Sequence, residues 1–164
     1  MLHQTNTGSY SVFSSHGFAE VREHNLSLAK SLHSLDHFYK GDVICKFKAA
    51  AILKKPTYLT VQTGLDEHIH LKPEFLKFTN HSCDPTVFFD TSLMQFVALK
   101  DIVPGDEFTF FYPSTEWQMA QPFECLCGSD LCLKHIAGAA EMDAEILSRY
   151  KLTGFIQQQL ATKL

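Results

Sequence analysis

The first regular alternation of apolar and polar residues in the chain covers residues 11–22. Val12, Phe13 and Val21 are among its apolar positions, and Gly17 divides the pattern in two. A two-residue period is that of a half-buried strand, and glycine favours a tight reversal of the backbone. The pattern therefore predicts a hairpin of two short strands with its turn at Gly17.

The apolar runs that follow are short. Leucines recur irregularly in residues 26–39 and leave helix and strand equally open, whereas residues 43–53 form an extended apolar segment after a Lys-Gly-Asp turn. Further β-branched or aromatic runs are separated by Gly, Pro, Asp and Asn, at residues 58–62, 69–71, 87–89 and 96–99. Many short strands at close spacing predict a mostly β fold with short helices.

The end of the chain has a helical spacing instead. In residues 141–150 the apolar side chains Met142, Ile146, Leu147 and Tyr150 recur at helical intervals. A second helical stretch begins after the glycine at position 154 and runs to position 161. We expect two C-terminal helices that cover the domain's own surface or, through the same apolar stripe, join two copies into a homodimer.

The composition suits one compact domain, since 45% of the 164 residues are apolar. A net charge of −4 without a Lys/Arg-rich run does not favour nucleic-acid binding and fits a basic protein partner better. The first twelve residues lack the apolar core of a secretory signal, and no run has the roughly 18 apolar residues of a membrane span. We therefore expect no membrane association and a cytoplasmic or nuclear location.

The five cysteines point to a metal site. Disulfides are rare in reducing compartments, so clustered cysteines there favour metal binding. Three of them, in residues 125–132, have the spacing Cys-x-Cys-x4-Cys around a glycine, which brings three thiolates together as tetrahedral zinc requires. The spacing leaves Cys83, Cys45 and His135 open as the fourth ligand. The alternative is that these are ordinary buried thiols.

Residues 78–85 (Phe-Thr-Asn-His-Ser-Cys-Asp-Pro) concentrate polar side chains between apolar runs. An amide, an imidazole, a hydroxyl and a thiol occupy four consecutive positions that begin at Asn80 and His81. Taken alone, this segment is equally well explained as a turn whose side chains hydrogen-bond their own backbone. Its neighbours favour a functional role.

Together, these motifs resemble the SET domain of protein lysine methyltransferases. That family has an Asn-His-Ser-Cys segment, a Gly-Glu/Asp-Glu-Leu-Thr-Phe-Asp-Tyr segment and a Cys-x-Cys-x4-Cys segment after the domain; residues 80–83, 105–112 and 125–132 match them in this order. Residues 14–19 resemble the family's Gly-x-Gly loop more weakly, and residues 41–47 the strand after it. The resemblance implies a SET-type β-fold of several small sheets.

The resemblance also implies two ligands, S-adenosylmethionine and Zn²⁺. Asn80 and His81 would hold the amino-acid and adenosine parts of the cofactor, and Gly17 would let backbone approach it closely. The cofactor-binding residues it implies are His16, Gly17, Phe18, Asn80, His81, Tyr112 and Phe123. The zinc ligands it implies are Cys83, Cys125, Cys127 and Cys132, which leaves Cys45 as an unpaired thiol. Because one metal would tie the cofactor segment to the C-terminal flap, removing zinc should weaken cofactor binding.

Tyr112 matches the family's catalytic tyrosine, which orients the substrate amine beside the sulfonium methyl. Phe47 and Phe110 are candidate walls of the lysine channel, and Phe110 occupies the position where phenylalanine resembles enzymes that add two or three methyl groups. The amine must be neutral to attack, and holding a lysine deprotonated near pH 7.4 costs about 4 kcal/mol. An apolar channel supplies part of this by desolvation.

The sequence departs from the family pattern at several positions. Phe-Lys-Ala-Ala at residues 47–50 replaces Tyr-x-Gly-Glu, so a channel hydroxyl is missing, and Phe111 replaces the aspartate before the catalytic tyrosine. Ser15 stands for the first glycine of the Gly-x-Gly loop and Thr86 for an asparagine. The insert of residues 54–75 is short, and we expect no cysteine-rich segment before the domain, so we expect less of the surface that usually selects the substrate.

We expect three parts: a SET domain in residues 1–115, with a possible strand extension in residues 1–10, a zinc-binding post-SET segment in residues 116–136, and a helical tail in residues 137–164. The leading hypothesis is methylation of an accessible lysine on a histone or other basic protein, with more than one methyl added. The rival is a catalytically silent SET-like module that binds a protein partner. A plain zinc-stabilised domain would explain the cysteines alone.

Overall fold

The computed structural model describes residues 9–163, so the expected strand extension lies almost entirely outside the described residues. The fold is mostly β, as predicted, with short helices. The strands are β1 Tyr10–His16, β2 Ala19–His24, β3 Lys30–Ser34, β4 Val43–Lys46, β5 Lys48–Leu53, β6 Val61–Gly64, β7 Glu67–Lys72, β8 Asn80–His81, β9 Val87–Asp90, β10 Gln95–Ala98, β11 Thr109–Phe110, β12 Phe123–Glu124 and β13 His135–Ile136. The α-helices are α1 Ala144–Leu147 and α2 Gly154–Thr162, and 3-10 helices cover Glu74–Phe78, Tyr112–Ser114 and Ala139–Glu141.

The first sheet contains the predicted hairpin. Strands β1 and β2 pair antiparallel, and Gly17 between them has a φ of 67°, a left-handed conformation that favours glycine. The undecided residues 26–39 contribute β3, which pairs with β2 so that Leu32 lies opposite Val21, both fully buried. Burial of this pair between strands, rather than any local period, makes the segment a strand.

Two further three-stranded sheets have the orders β4-β10-β9 and β5-β7-β6. The single extended segment predicted at residues 43–53 is divided at Phe47, whose N–H donates to the carbonyl of Met94, so β4 and β5 join different sheets. Phenylalanines form an aromatic core: the ring centroid of Phe89 in β9 lies 4.8 Å from that of Phe96 in β10 and 4.9 Å from that of Phe110 in β11. This aromatic core supports one side of the site described below.

The shortest strands place the two central motifs side by side. Strands β8 and β11 pair parallel, with Asn80 opposite Thr109 and His81 opposite Phe110. Tyr112 follows β11 directly, as the first residue of a 3-10 helix. Two motifs that are distant in the sequence thus share one pair of strands. The cysteine segment returns to the same place through β12, whose Phe123 ring lies 5.6 Å from that of His81 and 5.9 Å from that of Tyr112.

The tail packs against the domain but is less helical than predicted. Helix α1 has only four residues, with Asp143 as its N-cap, and Tyr150 lies beyond its end. The ring of Tyr150 stacks on Phe111 at 3.6 Å between centroids, and its hydroxyl donates to the carbonyl of Cys83 at 2.8 Å. Tyr150 thus makes both contacts from outside the helix, although the helical period of the sequence had included it. No helix among residues 9–163 is long and apolar enough to cross a membrane.

The stacking of Tyr150 on Phe111 predicts that the tail contributes to the stability of the domain. Replacing Tyr150 by alanine removes both the ring and its hydrogen bond, and should lower the free energy of unfolding by roughly 2–4 kcal/mol. Tyr150→Phe keeps the ring and should cost only about 1 kcal/mol. Urea unfolding of the two variants measures the difference. Equal stability of Tyr150→Ala and the parent protein would contradict a structural role for the tail.

Candidate active site

Two cavities meet at Tyr112. The first, of about 560 Å³, has largely apolar walls; residues that line it include Val61, Leu71, Leu76, Phe89, Phe110, Tyr112, Glu116 and Phe123. The second cavity, of about 770 Å³, lies beside the β1–β2 hairpin and β8. Residues that line it include Phe13, Ser14, His16, Lys30, Phe75, Asn80 and Tyr112. Two molecules bound in these cavities would both touch the same tyrosine.

Tyr112 is held as a hydrogen-bond donor. Its hydroxyl lies 3.4 Å from the carbonyl oxygen of Thr79, to which it donates. Burial, with smaller contributions from the charges of Glu116 and Glu107, raises the pKa of Tyr112 to about 12. The phenol therefore stays protonated at neutral pH. It can orient a reacting group, but it does not take up a proton.

Asn80 lies in the wall of the second cavity, as does His16, both among the predicted cofactor-binding residues. The side-chain amide of Asn80 donates to the carbonyl of Lys30 at 2.9 Å and to a carboxylate oxygen of Glu107 at 3.1 Å. These bonds fix the amide against β3 and against Glu107, which precedes β11. A rigid polar group at the edge of a cavity is suited to holding a polar ligand.

His81, in contrast, is not among the residues that line either cavity. Its Nδ1 accepts from the N–H of Tyr112 at 3.2 Å, so in the neutral ring Nε2 carries the proton and donates to the thiol sulfur of Cys83 at 3.3 Å. Burial lowers the pKa of His81 to about 4, so the ring stays neutral. Both ring nitrogens of His81 are therefore bonded within the protein, to the N–H of Tyr112 and to the sulfur of Cys83, and the contact of His81 with the cofactor stays a prediction.

The remaining predicted cofactor residues lie apart. Gly17 forms the hairpin turn, and the ring of Phe18 packs on the core rings of Phe38, Phe75 and Phe108 rather than lining the second cavity. Phe123 lines the first cavity, with its ring 5.9 Å from that of Tyr112. Of the predicted set, His16, Asn80 and Tyr112 are therefore brought together around the second cavity.

The two predicted channel residues have different positions. Phe110 lines the first cavity, and its ring lies 4.6 Å from that of Tyr112. Phe47 is not part of that wall and packs in the core, edge-on to Phe89 at 5.5 Å. Phe47 lies where the chain passes from β4 to β5 and is buried, so its role as a channel wall stays a prediction without a position in this cavity to support it. Phe89 is among the residues that line this cavity.

The four predicted zinc ligands form one cluster. The sulfur atoms of Cys83, Cys125, Cys127 and Cys132 all lie within 4.8 Å of one another. The other two candidates for the fourth ligand lie elsewhere: His135 pairs with Glu124 through Nδ1 at 2.9 Å, and Cys45 belongs to β4, where burial raises its pKa to about 11. Of the three candidates, Cys83 is the one whose sulfur lies with those of Cys125, Cys127 and Cys132.

Glu116 is a functional candidate that the sequence did not reveal. It is 7% exposed and lines the first cavity, and one of its carboxylate oxygens accepts from the N–H of Gln62 at 2.8 Å. Burial raises its pKa to about 8, against the opposing hydrogen bonds from Gln62 and Thr115. Glu116 belongs to no recognisable sequence motif, so its burial in the folded protein is the observation that indicates a functional role.

The sequence profile of the SET domain matches residues 29–113, more than half of the chain. The chain belongs to the SET-domain family. It is 44% identical to the methyltransferase flvH of Aspergillus flavus over 135 residues, which are 81% of this chain and 75% of that protein. It is 31% identical over 83 residues to a histone-lysine N-methyltransferase, H3 lysine-36 specific, of Debaryomyces hansenii, and 35% identical over 77 residues to that of Candida albicans.

These relatives differ in length. This SET-domain chain aligns with only 11% and 9% of the two yeast enzymes, and 47% and 43% of the chain is covered. The crystal structure of KRYPTONITE in complex with mCHH DNA, H3(1-15) peptide and SAH matches with a TM-score of 0.53 and 21% identity, over 71% of this chain and 29% of that one. The structural match confirms the SET-type fold.

Proposed function

We propose that this SET-domain protein transfers methyl groups from S-adenosylmethionine to the amine of a lysine side chain on a protein, with Tyr112 as the catalytic residue. The observation that carries this function is the meeting of two cavities at Tyr112. A methyl donor and an amine need opposite approaches to the reacting carbon, because displacement at carbon proceeds in line. A tyrosine shared by two cavities can orient both reactants.

The linings of the cavities fit these two molecules. Lysine has a long apolar stem, and the first cavity offers Phe89, Phe110 and Leu71 to it. The cofactor is larger and more polar, and the second cavity is the larger of the two and contains Asn80 and His16. When bound there, S-adenosylmethionine supplies the sulfonium methyl; the chain's own residues bind, orient and exclude water.

The names of the relatives support this class of reaction. All are called methyltransferases, and those with a named substrate act on lysine 36 of histone H3. A histone substrate would agree with the net charge of −4 and with a nuclear location. The name of flvH, which matches 81% of this chain, gives no substrate, so a substrate panel should contain small primary amines beside proteins.

The thiol cluster fits one zinc ion. A tetrahedron with Zn–S bonds of 2.3 Å has its sulfur atoms about 3.8 Å apart. The Cys83 and Cys125 sulfurs are 3.9 Å apart. We propose that Cys83, Cys125, Cys127 and Cys132 hold zinc as thiolates, with the N–H groups of His81 and Leu133 donating to Cys83. The metal would fasten the post-SET segment to the strand that carries Asn80.

Zinc removal gives a direct test of this cluster. The purified protein should contain one zinc per chain by elemental analysis, and Cys127→Ser should lose most of it, because a three-ligand site is open to water. Cys45→Ser is the matched control and should keep the full zinc content. Chelation should lower the melting temperature and weaken cofactor binding measured by calorimetry. Equal zinc content in the two variants would contradict the assignment.

Tyr112→Phe tests the enzymatic function. The purified protein is incubated with methyl-labelled S-adenosylmethionine and core histones, whole-cell protein or small primary amines. Wild type should label an amine, and the variant should lose roughly 100-fold or more in rate while it still binds cofactor, because only orientation is lost. Cofactor binding without any label in wild type would favour the silent binding module instead.

Phe110 predicts the number of methyl groups. Its ring stands 4.6 Å from Tyr112 in the wall of the first cavity, so a hydroxyl added there would occupy space and bind a water or the amine. Mass spectrometry should find dimethylated or trimethylated product with wild type and a shift toward monomethylated product with Phe110→Tyr. Identical product distributions would show that this side chain does not limit the methylation state.

A further inference from the structure

A lysine amine arrives in the first cavity as an ammonium ion and must lose a proton before it can attack. The titratable side chains among the described residues of that wall are Tyr58, Lys77, Tyr112 and Glu116. Tyr112 stays protonated, and Lys77 is itself a cation, paired with Glu74 at 2.5 Å. Tyr58 is 77% exposed. Glu116 is therefore the acidic group that the enclosed part of this cavity provides.

Glu116 is held in place before any substrate arrives. Its N–H donates to the carbonyl of Tyr112 at 3.1 Å, and its own carbonyl accepts from Ala139 at 2.8 Å. Its carboxylate accepts from the N–H of Gln62, and the side-chain oxygen of Gln62 accepts from Trp117 at 2.8 Å. Its hydrogen bond from Gln62 thus fixes the carboxylate against β6, and its backbone is bonded to that of Tyr112. The carboxylate therefore needs little reorganisation to act.

The carboxylate has no cationic partner of its own. Among the ion pairs of residues 9–163, none involves Glu116. A buried carboxylate without a counter-ion is unfavourable, and evolution usually replaces or pairs such a group. A cavity that admits an ammonium ion supplies the missing partner. The charge of Glu116 is also near enough to Tyr112 to contribute to the raised pKa of that tyrosine.

Resting on the proposed methyl transfer, we propose that Glu116 binds the substrate ammonium in the first cavity and accepts its proton. One N–H bond of the ammonium breaks and one O–H bond forms on the carboxylate. The freed electron pair of nitrogen then forms the N–C bond to the methyl group of S-adenosylmethionine as the C–S bond breaks, and that electron pair goes to sulfur. The proton on Glu116 returns to solvent after the product leaves.

The neighbouring charges determine the pH dependence. Besides Tyr112, Tyr58 and Lys77 share the cavity with Glu116, and His68 on β7 lies opposite Gln62. The pKa of Glu116, raised to about 8 by burial, makes the carboxylate a stronger proton acceptor than an exposed glutamate. The active fraction should therefore grow as the pH rises through about 8.

The first experiment measures binding without catalysis. The n-butylammonium ion at pH 9, above the pKa of Glu116 and below that of an alkyl amine, serves as a probe, with n-butanol as its neutral counterpart, and calorimetry compares wild type with Glu116→Gln. Glutamine keeps the hydrogen bond from Gln62 but not the charge, so butylammonium should bind roughly tenfold more weakly and butanol equally. Glu145→Gln removes the same charge from an exposed site and should bind as wild type does. Equal affinity in all three proteins overturns the proposal.

The second experiment measures the rate against pH. Glu116→Gln should lower kcat by about 100-fold near pH 7.5, and the loss should shrink toward pH 10, where the amine loses its proton unaided. A loss that is constant over pH, or no loss, overturns proton acceptance. If the glutamine variant does not fold, Glu116→Asp, with the same charge one methylene further back, should keep the wild-type pH profile at a lower kcat. Absence of methylation in wild type would refute the proposed function. The butylammonium experiment would still test whether Glu116 binds an ammonium ion.

Discussion

The site depends on how residues 79–83 are anchored. This short segment receives hydrogen bonds from three separate parts of the chain: Tyr112 donates to Thr79 and His81, Leu133 donates to the Cys83 sulfur, and Tyr150 donates to the Cys83 carbonyl. Two-residue strands contribute little stability alone. The parallel pair of β8 and β11 persists because the surrounding side chains fix both of its ends.

Burial of the titratable side chains shifts their pKa values throughout the site. His81 is kept neutral, Tyr112 is kept protonated and the pKa of Glu116 is raised, each chiefly because burial disfavours the charged form. A lysine amine that enters the same surroundings is also favoured as its neutral, nucleophilic form. In the proposed reaction, the aromatic core behind Phe89 and Phe110 would thus contribute to the chemistry as well as to stability.

The tail accounts for one departure from the family pattern. Phe111 stands where the family has an aspartate, and its ring stacks on Tyr150 with an interplanar angle of 6°. The same tyrosine hydrogen-bonds the backbone of a thiol-cluster residue, so the tail, the site and the proposed zinc ligands share one contact region. A charged residue at this position would be buried without a partner, whereas phenylalanine supplies an apolar surface for the tail.

The sequence by itself determined the features that are local. The alternation around Gly17 predicted the hairpin, the frequency of short apolar runs predicted a mostly β fold, and three motifs in order predicted the family and Tyr112. Features that depend on contacts between distant residues needed the tertiary structure. Leu32 became a strand residue by packing on Val21, Phe47 was turned into the core, and His81 was committed to two protein partners. Glu116 shows the reason most clearly: a carboxylate's chemistry depends on its burial and neighbours, and no spacing along a chain reports either.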